Sequence, residues 1–280
     1  MTLISDRSSH AINQIFGRSK ALIGMIHCPP FPGAPRYKGE PLAKIYDSCL
    51  RDAEALIANG MHGLVIENHG DVPFLKPQDI TCETAAFMAV VTDRIKTAFG
   101  VPIGINVLAN APIPAIAIAA AGGAEFIRVN QWANAYVANE GFIEGRAGEA
   151  LRFRARLRQD GIRIFADAHV KHGAHAIVAD RSIPELTRDL AFFDADGVIA
   201  TGQRTGDAAN PAEIKVIRDA THLPLLVGSG VSEANIGEIL ALTNGVIVAS
   251  SLKVDGVWWN AVEPARVRRF VAAAQPHLES

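Results

Sequence analysis

The 280-residue sequence predicts an α/β fold, a single (β/α)8 barrel, and three observations carry that prediction. Eight short runs of nearly continuous apolar residues recur along the chain, as strands buried on both faces require. Amphipathic helical segments lie between them, the alternation expected of βα units around a parallel sheet. The first run leads into His27-Cys28-Pro29-Pro30 rather than a Gly-x-Gly-x-x-Gly turn, which disfavours an open dinucleotide-binding sheet.

The expected strands are 22–27, 63–67, 102–107, 126–130, 162–169, 197–201, 225–228 and 245–250. A leading segment, 9–18, reads as a short helix covering the bottom of the barrel. Helix 41–58 stops at Asn59-Gly60, a pair suited to a left-handed C-terminus, and helix 81–99 stops at Gly100. Helix 112–121 ends at Gly122-Gly123. Helices 148–159 and 183–193 precede helix 210–220, where Asn210-Pro211 joins a cap to a proline at the first helical position. Ser232, with Glu233 and Asn235, is expected to open helix 232–242, and helix 263–275 closes the fold. The whole chain, 1–280, reads as one domain with an N-terminal extension, 1–19, and a long βα loop, 131–148. That loop exceeds the usual few residues and reads either as a lid over the site or as an oligomer contact.

Bulk properties narrow the function classes. Hydrophobic residues at 49% and charged residues at 20% suit a globular chain large enough to need no disulfide or metal for stability. A net charge of −2 leaves no electrostatic footprint for nucleic acid. Arg152, Arg154, Arg156 and Arg158 read as a solvated helix face, with an anionic partner as the alternative. Cys28, Cys49 and Cys82 form neither a disulfide framework nor a CxxC pair, which suggests a reducing compartment. Lacking a continuous apolar N-terminal run or a transmembrane segment, the chain is expected to be cytoplasmic. A homo-oligomer is expected, with Trp132, Trp258 and Trp259 assigned to the core or to subunit contacts.

The last two strand ends carry a phosphate signature. Gly228-Ser229-Gly230 follows the seventh strand, and glycines allow backbone N–H groups to approach an anion closely. A helix starting at Ser232 would add its dipole. Ser250, Ser251 and Lys253 after the eighth strand supply hydroxyls and a cation. The alternative is that the glycines only make a tight turn.

Strand alternation places a second polar group on the lumen side. Asp167, His169 and Lys171 would climb the fifth strand toward the mouth, unless they serve structural pairing. Arg128 and Asn130 face inward from the fourth strand and Asn106 from the third, with Asn110 beyond it. Glu67 ends the second strand, His27 the first and Thr201 the sixth, with Gln203, Arg204 and Thr205 following. Convergence of these side chains on one rim reads as a ligand or active site. His27, Glu67, Asp167 and His169 are ligand types for a divalent metal, but on separate strands without diagnostic spacing. No cofactor is assigned, and a divalent metal stays open.

Several stretches resemble the BtpA/SgcQ family. They include Gly24-Met25-Ile26-His27, Val65-Ile66-Glu67-Asn68-His69-Gly70-Asp71, Gly104-Ile105-Asn106 and Phe126-Ile127-Arg128-Val129-Asn130. Ala166-Asp167-Ala168-His169-Val170-Lys171-His172, Gly228-Ser229-Gly230-Val231 and Ser250-Ser251-Leu252-Lys253 continue the likeness. The resemblance implies a TIM barrel of the ribulose-phosphate-binding type. His69 stands where the family often has an aromatic residue, and Ala109 where it often has arginine. One branch of the family is associated with photosystem I biogenesis and another lies among sugar-metabolism genes.

Two functions follow as expectations. The first is an enzyme on a phosphorylated small molecule, a sugar-phosphate isomerase, epimerase or lyase. Gly228, Ser229, Gly230, Ser250 and Ser251 would hold the phosphate, and Asp167, His169, Lys171 and Glu67 would transfer protons. Lys171 could alternatively form a Schiff base. Arg128, Asn130, Asn106, Thr201 and His27 would complete the binding surface. The second, implied by the resemblance, is a non-catalytic biogenesis factor working through an outer surface.

Overall fold

The computed structural model describes residues 11–202 and 209–278. Eight parallel strands close into a barrel: β1 (Ala21–His27), β2 (Gly63–Glu67), β3 (Ile103–Asn106), β4 (Phe126–Val129), β7 (Arg163–Asp167), β9 (Gly197–Thr201), β10 (Leu225–Gly228) and β11 (Gly245–Val248). Each matches an expected run, but β3, β4, β7 and β11 are shorter at the mouth end. Three further strands, β5 (Ala135–Ala138), β6 (Gly141–Glu144) and β8 (Gly173–Ala174), form a separate antiparallel sheet. The long 131–148 loop is therefore largely a hairpin, β5–β6, to which the chain after β7 adds a third strand.

The helices are α1 (Ala11–Phe16), α2 (Leu42–Ile57), α3 (Cys82–Phe99), α4 (Pro112–Gly122), α5 (Ala147–Arg156), α6 (Ile183–Phe192), α7 (Pro211–Ala220), α8 (Ile236–Leu240) and α9 (Pro264–Ala274). Gly100 and Gly123 terminate α3 and α4 in the left-handed conformation. Asn210 caps α7 by accepting from the Ala212 N–H. The helix expected from Ser232 does not start there: Asn235 Oδ1 accepts from the Ser232 N–H in a turn, and α8 begins only at Ile236. No helix among the described residues is long and apolar enough to cross a membrane.

Alternation along each strand separates two apolar layers. Outward residues such as Ile26, Ile66, Ile105, Ile127, Ile164 and Val198 pack under the helices. Inward residues Met25, Val65, Phe126, Phe165, Ile199, Leu226 and Ile247 fill the lumen, which α1 plugs from below with Phe16. The two largest rings, Phe126 and Phe165, meet edge to face at 5.4 Å. Glycines on the neighbouring strands make room for them. A Cβ on Gly104 would lie 2.1 Å from the Phe126 ring, and one on Gly197 would lie 2.3 Å from the Phe165 ring. Small residues facing large ones let the layer close without voids.

Trp132 belongs to the core, fully buried with its indole N–H donating to the Phe193 carbonyl, whereas Trp259 is largely exposed. The arginine helix is mixed: Arg152 and Arg156 are exposed, while Arg154 is half-buried and donates to the Ile162 carbonyl.

The lumen packing predicts that Gly104→Val destabilises the fold by about 1–3 kcal/mol through overpacking, read from the denaturant midpoint. Adding Phe126→Leu should recover part of that loss. An unchanged midpoint in the single variant would contradict this packing.

Candidate active site at the barrel mouth

The polar residues begin directly above the aromatic layer. Arg128 follows Phe126 on the inward face of β4, and Asp167 follows Phe165 on β7. Arg128 donates from Nε and Nη2 to the two Asp167 carboxylate oxygens at 3.0 and 2.9 Å. Asn130 Nδ2 also donates to Asp167. Burial would depress the Arg128 pKa, but the adjoining Asp167 carboxylate more than offsets it and raises it above the usual arginine value. Asp167 is therefore committed to a bidentate pair. Its side chain is wholly buried and outside the cavity lining, so it supports the floor through Arg128 and Asn130 instead of reaching the cavity as the expected proton carrier.

Above that floor is a cavity of about 580 Å³. Its lining includes His27, Glu67, His69, Arg128, Asn130 and Lys171, together with Gly228, Ser229, Gly230, Ser250 and Ser251. Tyr136, Ala138, Asn139 and Glu140 of the β5–β6 hairpin also border it. Asn110 anchors that hairpin: it accepts from the Gln131 N–H and donates to the Glu144 carbonyl.

On one side, Ser229 and Gly230 both take positive φ angles, 116° and 62°. This sharp turn directs the chain away from β10. Ser251 Oγ donates to the Val231 carbonyl at 2.6 Å, tying the turn after β11 to this loop. Lys171 Nζ lies 3.5 Å from Ser229 Oγ. Lys253, expected as a nearby cation, is instead buried and donates to Asp52 and to the Asn260 carbonyl. Lys171 takes the place beside the loop that Lys253 was expected to fill.

The opposite wall holds His27, Glu67 and His69. His27 and Glu67 are register partners at the ends of β1 and β2. His69, in the turn after β2, places Nδ1 2.6 Å from Glu67 Oε1 and stacks on His27 at 4.4 Å. The Trp258 ring packs against both imidazoles. Burial, reinforced by His69, lowers the His27 pKa to about 3, so the ring is neutral near pH 7. Burial alone would raise Glu67, but the His69 hydrogen bond and neighbouring positive charge bring it down to about 2.

Besides Asp167, three expected site residues lie outside the cavity lining. His169 does not climb the lumen: β7 ends at Asp167, alternation no longer applies beyond it, and the ring lies 3.2 Å from Glu213 on α7. Thr201 is buried and donates its hydroxyl to the His169 carbonyl, so it fixes that turn. Asn106 lies fully buried outside the cavity lining, and neither polar side-chain atom has a hydrogen-bond partner among the described residues. Gln203, Arg204 and Thr205 lie outside the described residues. His69 and Tyr136, which border the cavity, were not among the expected site residues. Both sit beyond barrel strands, where strand period carries no information. The nearby Glu67-x-His69 spacing was the available signal for His69.

The chain resembles solved barrels only at the level of fold. Thiamine phosphate pyrophosphorylase from Pyrococcus furiosus superposes with a TM-score of 0.55 at 13% identity, covering 93% of this chain and 98% of that one. Tryptophan synthase from Mycobacterium tuberculosis gives 0.57 at 15% identity, covering 100% and 98%. Sequence relatives are much nearer. The photosystem I biogenesis protein BtpA of Synechocystis is 37% identical, over 95% of this chain and 92% of that protein. A protein of Archaeoglobus fulgidus is 39% identical over 91% and 99%, and a mitochondrial protein of Caenorhabditis elegans is 35% identical over 93% and 95%. The BtpA family model matches residues 18–276, and with these relatives it establishes that the chain belongs to the BtpA family.

Proposed function

We propose that this barrel is an enzyme acting on a phosphorylated small molecule, of the sugar-phosphate isomerase, epimerase or lyase type. One observation carries the reading: the Gly228-Ser229-Gly230 loop and a wall of titratable side chains border the same cavity. The phosphate would rest on Gly228, Ser229 and Gly230, with Ser250, Ser251 and Lys171 around it. Backbone N–H groups and an ammonium suit a dianion, and their binding energy can be spent on orienting the remote end of the substrate. Because α8 starts late and is only one turn long, the loop amides and Lys171 act without a helix dipole.

The reacting end would face His27, Glu67 and His69. Glu67 is ionised and hydrogen-bonded to His69, an arrangement that can take up a proton or polarise a ligand oxygen. Arg128 and Asp167 form the floor and position Asn130, whose Oδ1 makes no hydrogen bond among the described residues. Asn130 therefore has acceptor capacity for a substrate hydroxyl. The hairpin with Tyr136 serves as a specificity lid. Activity in the cytoplasm and assembly into a homo-oligomer, with exposed Trp259 as a contact, belong to the same proposal.

Similarity to the photosystem I biogenesis protein of Synechocystis favours a second reading, a biogenesis factor without catalysis. That reading requires an outer docking surface and leaves the polar mouth without a use. The two separate on whether the mouth binds and turns over a small molecule.

Phosphorylated sugars should raise the melting temperature while their dephosphorylated counterparts do not; a ligand at 100 times its Kd adds about 2.7 kcal/mol. Lys171→Met should weaken binding roughly 10- to 100-fold, the cost of a charge-assisted hydrogen bond. Gly230→Asp, which keeps a residue tolerant of positive φ but adds a like charge, should abolish it. A panel in which no phosphorylated compound stabilises the protein would refute the reading.

In D2O, a bound phosphorylated ligand should acquire deuterium at the carbon alpha to its carbonyl. Glu67→Gln should slow this exchange by about 100-fold or more. Complete retention of protium would contradict proton transfer at this wall.

A further inference from the structure

His27, Glu67 and His69 meet in a way that hydrogen bonding alone does not account for. Their ligand atoms lie within 4.8 Å of one another, and all three line the mouth cavity. The side chains are 5%, 7% and 15% exposed, respectively. His27 Nδ1 is 3.0 Å from the Trp258 carbonyl oxygen. A carbonyl only accepts, so Nδ1 carries the ring proton and Nε2 presents its lone pair. That lone pair lies 3.6 Å from Glu67 Oε1. Two electron-rich atoms thus approach each other in a nearly dry wall, an arrangement that a positive charge between them would resolve.

Nearby protein cations are directed elsewhere. Two nitrogens of Arg128 bind Asp167, and Lys253 is buried against Asp52. Lys171 lies beside Ser229 on the loop side.

We infer that His27, Glu67 and His69 form a binding site for one divalent first-row transition ion, opening into the mouth cavity. Two imidazoles and one carboxylate suit zinc, iron, cobalt or manganese, whereas calcium and magnesium favour all-oxygen sets. Ligand atoms 2.0–2.2 Å from a tetrahedral ion sit roughly 3.3 Å apart, near the present His27–Glu67 separation. His69 Nδ1 would release the proton it shares with Glu67, and their 2.6 Å contact would lengthen as the ion takes that proton's place. The Trp258 carbonyl already fixes the His27 tautomer, as outer partners of metal-bound histidines do. Trp258 and Phe74 supply the apolar surround.

Three protein ligands leave positions open toward the cavity, as in catalytic rather than structural sites. Resting on the proposed phosphate site, this points to a substrate class: a phosphorylated compound with a carbonyl or hydroxyl oxygen at its other end. The ion would polarise that oxygen. Glu67 would then act as a ligand, leaving ion-bound water to move protons.

The test uses the full chain, stripped with a chelator and titrated with Co2+, followed by visible absorption and equilibrium dialysis. One equivalent should bind, with absorption bands characteristic of nitrogen ligation. His69→Phe, which keeps a ring against His27 and Trp258, should weaken binding by about 100-fold, as should Glu67→Gln. Circular dichroism would establish that both variants remain folded. Lys171→Met and Gly230→Asp should bind cobalt as the parent does, so failure of the phosphate reading leaves this result unaffected. Absence of stoichiometric binding, or affinity undiminished from the parent in both His69→Phe and Glu67→Gln, would overturn the inference.

Discussion

The bidentate ion pair between Arg128 and Asp167 is the interaction on which the mouth depends. It lies one inward step above Phe126 and Phe165, where the lumen changes from hydrocarbon to polar. The guanidinium reaches across the lumen to β10: a Cβ on Gly228 would lie 3.7 Å from Arg128 Nη1. A buried pair contributes little net stability, but removing one partner leaves an uncompensated charge at a cost of about 3–5 kcal/mol. The pair thus fixes where the apolar core stops and holds Asn130 over the floor.

From that floor the mouth divides into two walls of different chemistry. The β10 and β11 side offers backbone amides, hydroxyls and Lys171. The β1 and β2 side offers two imidazoles and a carboxylate beneath Trp258. Under the proposed reading, the first side would anchor a phosphate and the second would handle protons or a cation. Placing the anchor apart from the reacting groups allows binding energy to be used for orientation.

Much of this frame was legible in the sequence because strand period is a strong signal. Alternation located His27, Glu67, Arg128 and Asp167 on the inward face, and the strand count identified the closed barrel. The signal failed where strands ended. His169 was read as an extension of β7, yet the chain turns after Asp167 and its ring pairs with Glu213. Lys253 was read as a cation near the phosphate because its partner, Asp52, lies two hundred residues away in sequence. Ser232 carries the composition of a cap, but the Asn235 side chain closes a turn there instead. His69 escaped because turn geometry, rather than period, brings it back over Glu67. The β5–β6 hairpin escaped because two four-residue strands leave too short a pattern to read.

The most direct measurement is a crystal structure of the full chain soaked with a sugar phosphate and Mn2+, with anomalous data collected at the manganese edge. Phosphate density is expected against Ser229, Gly230 and Lys171, in the same cavity as an anomalous peak among His27, Glu67 and His69. Phosphate bound outside the mouth, with no peak on that histidine wall, would contradict it.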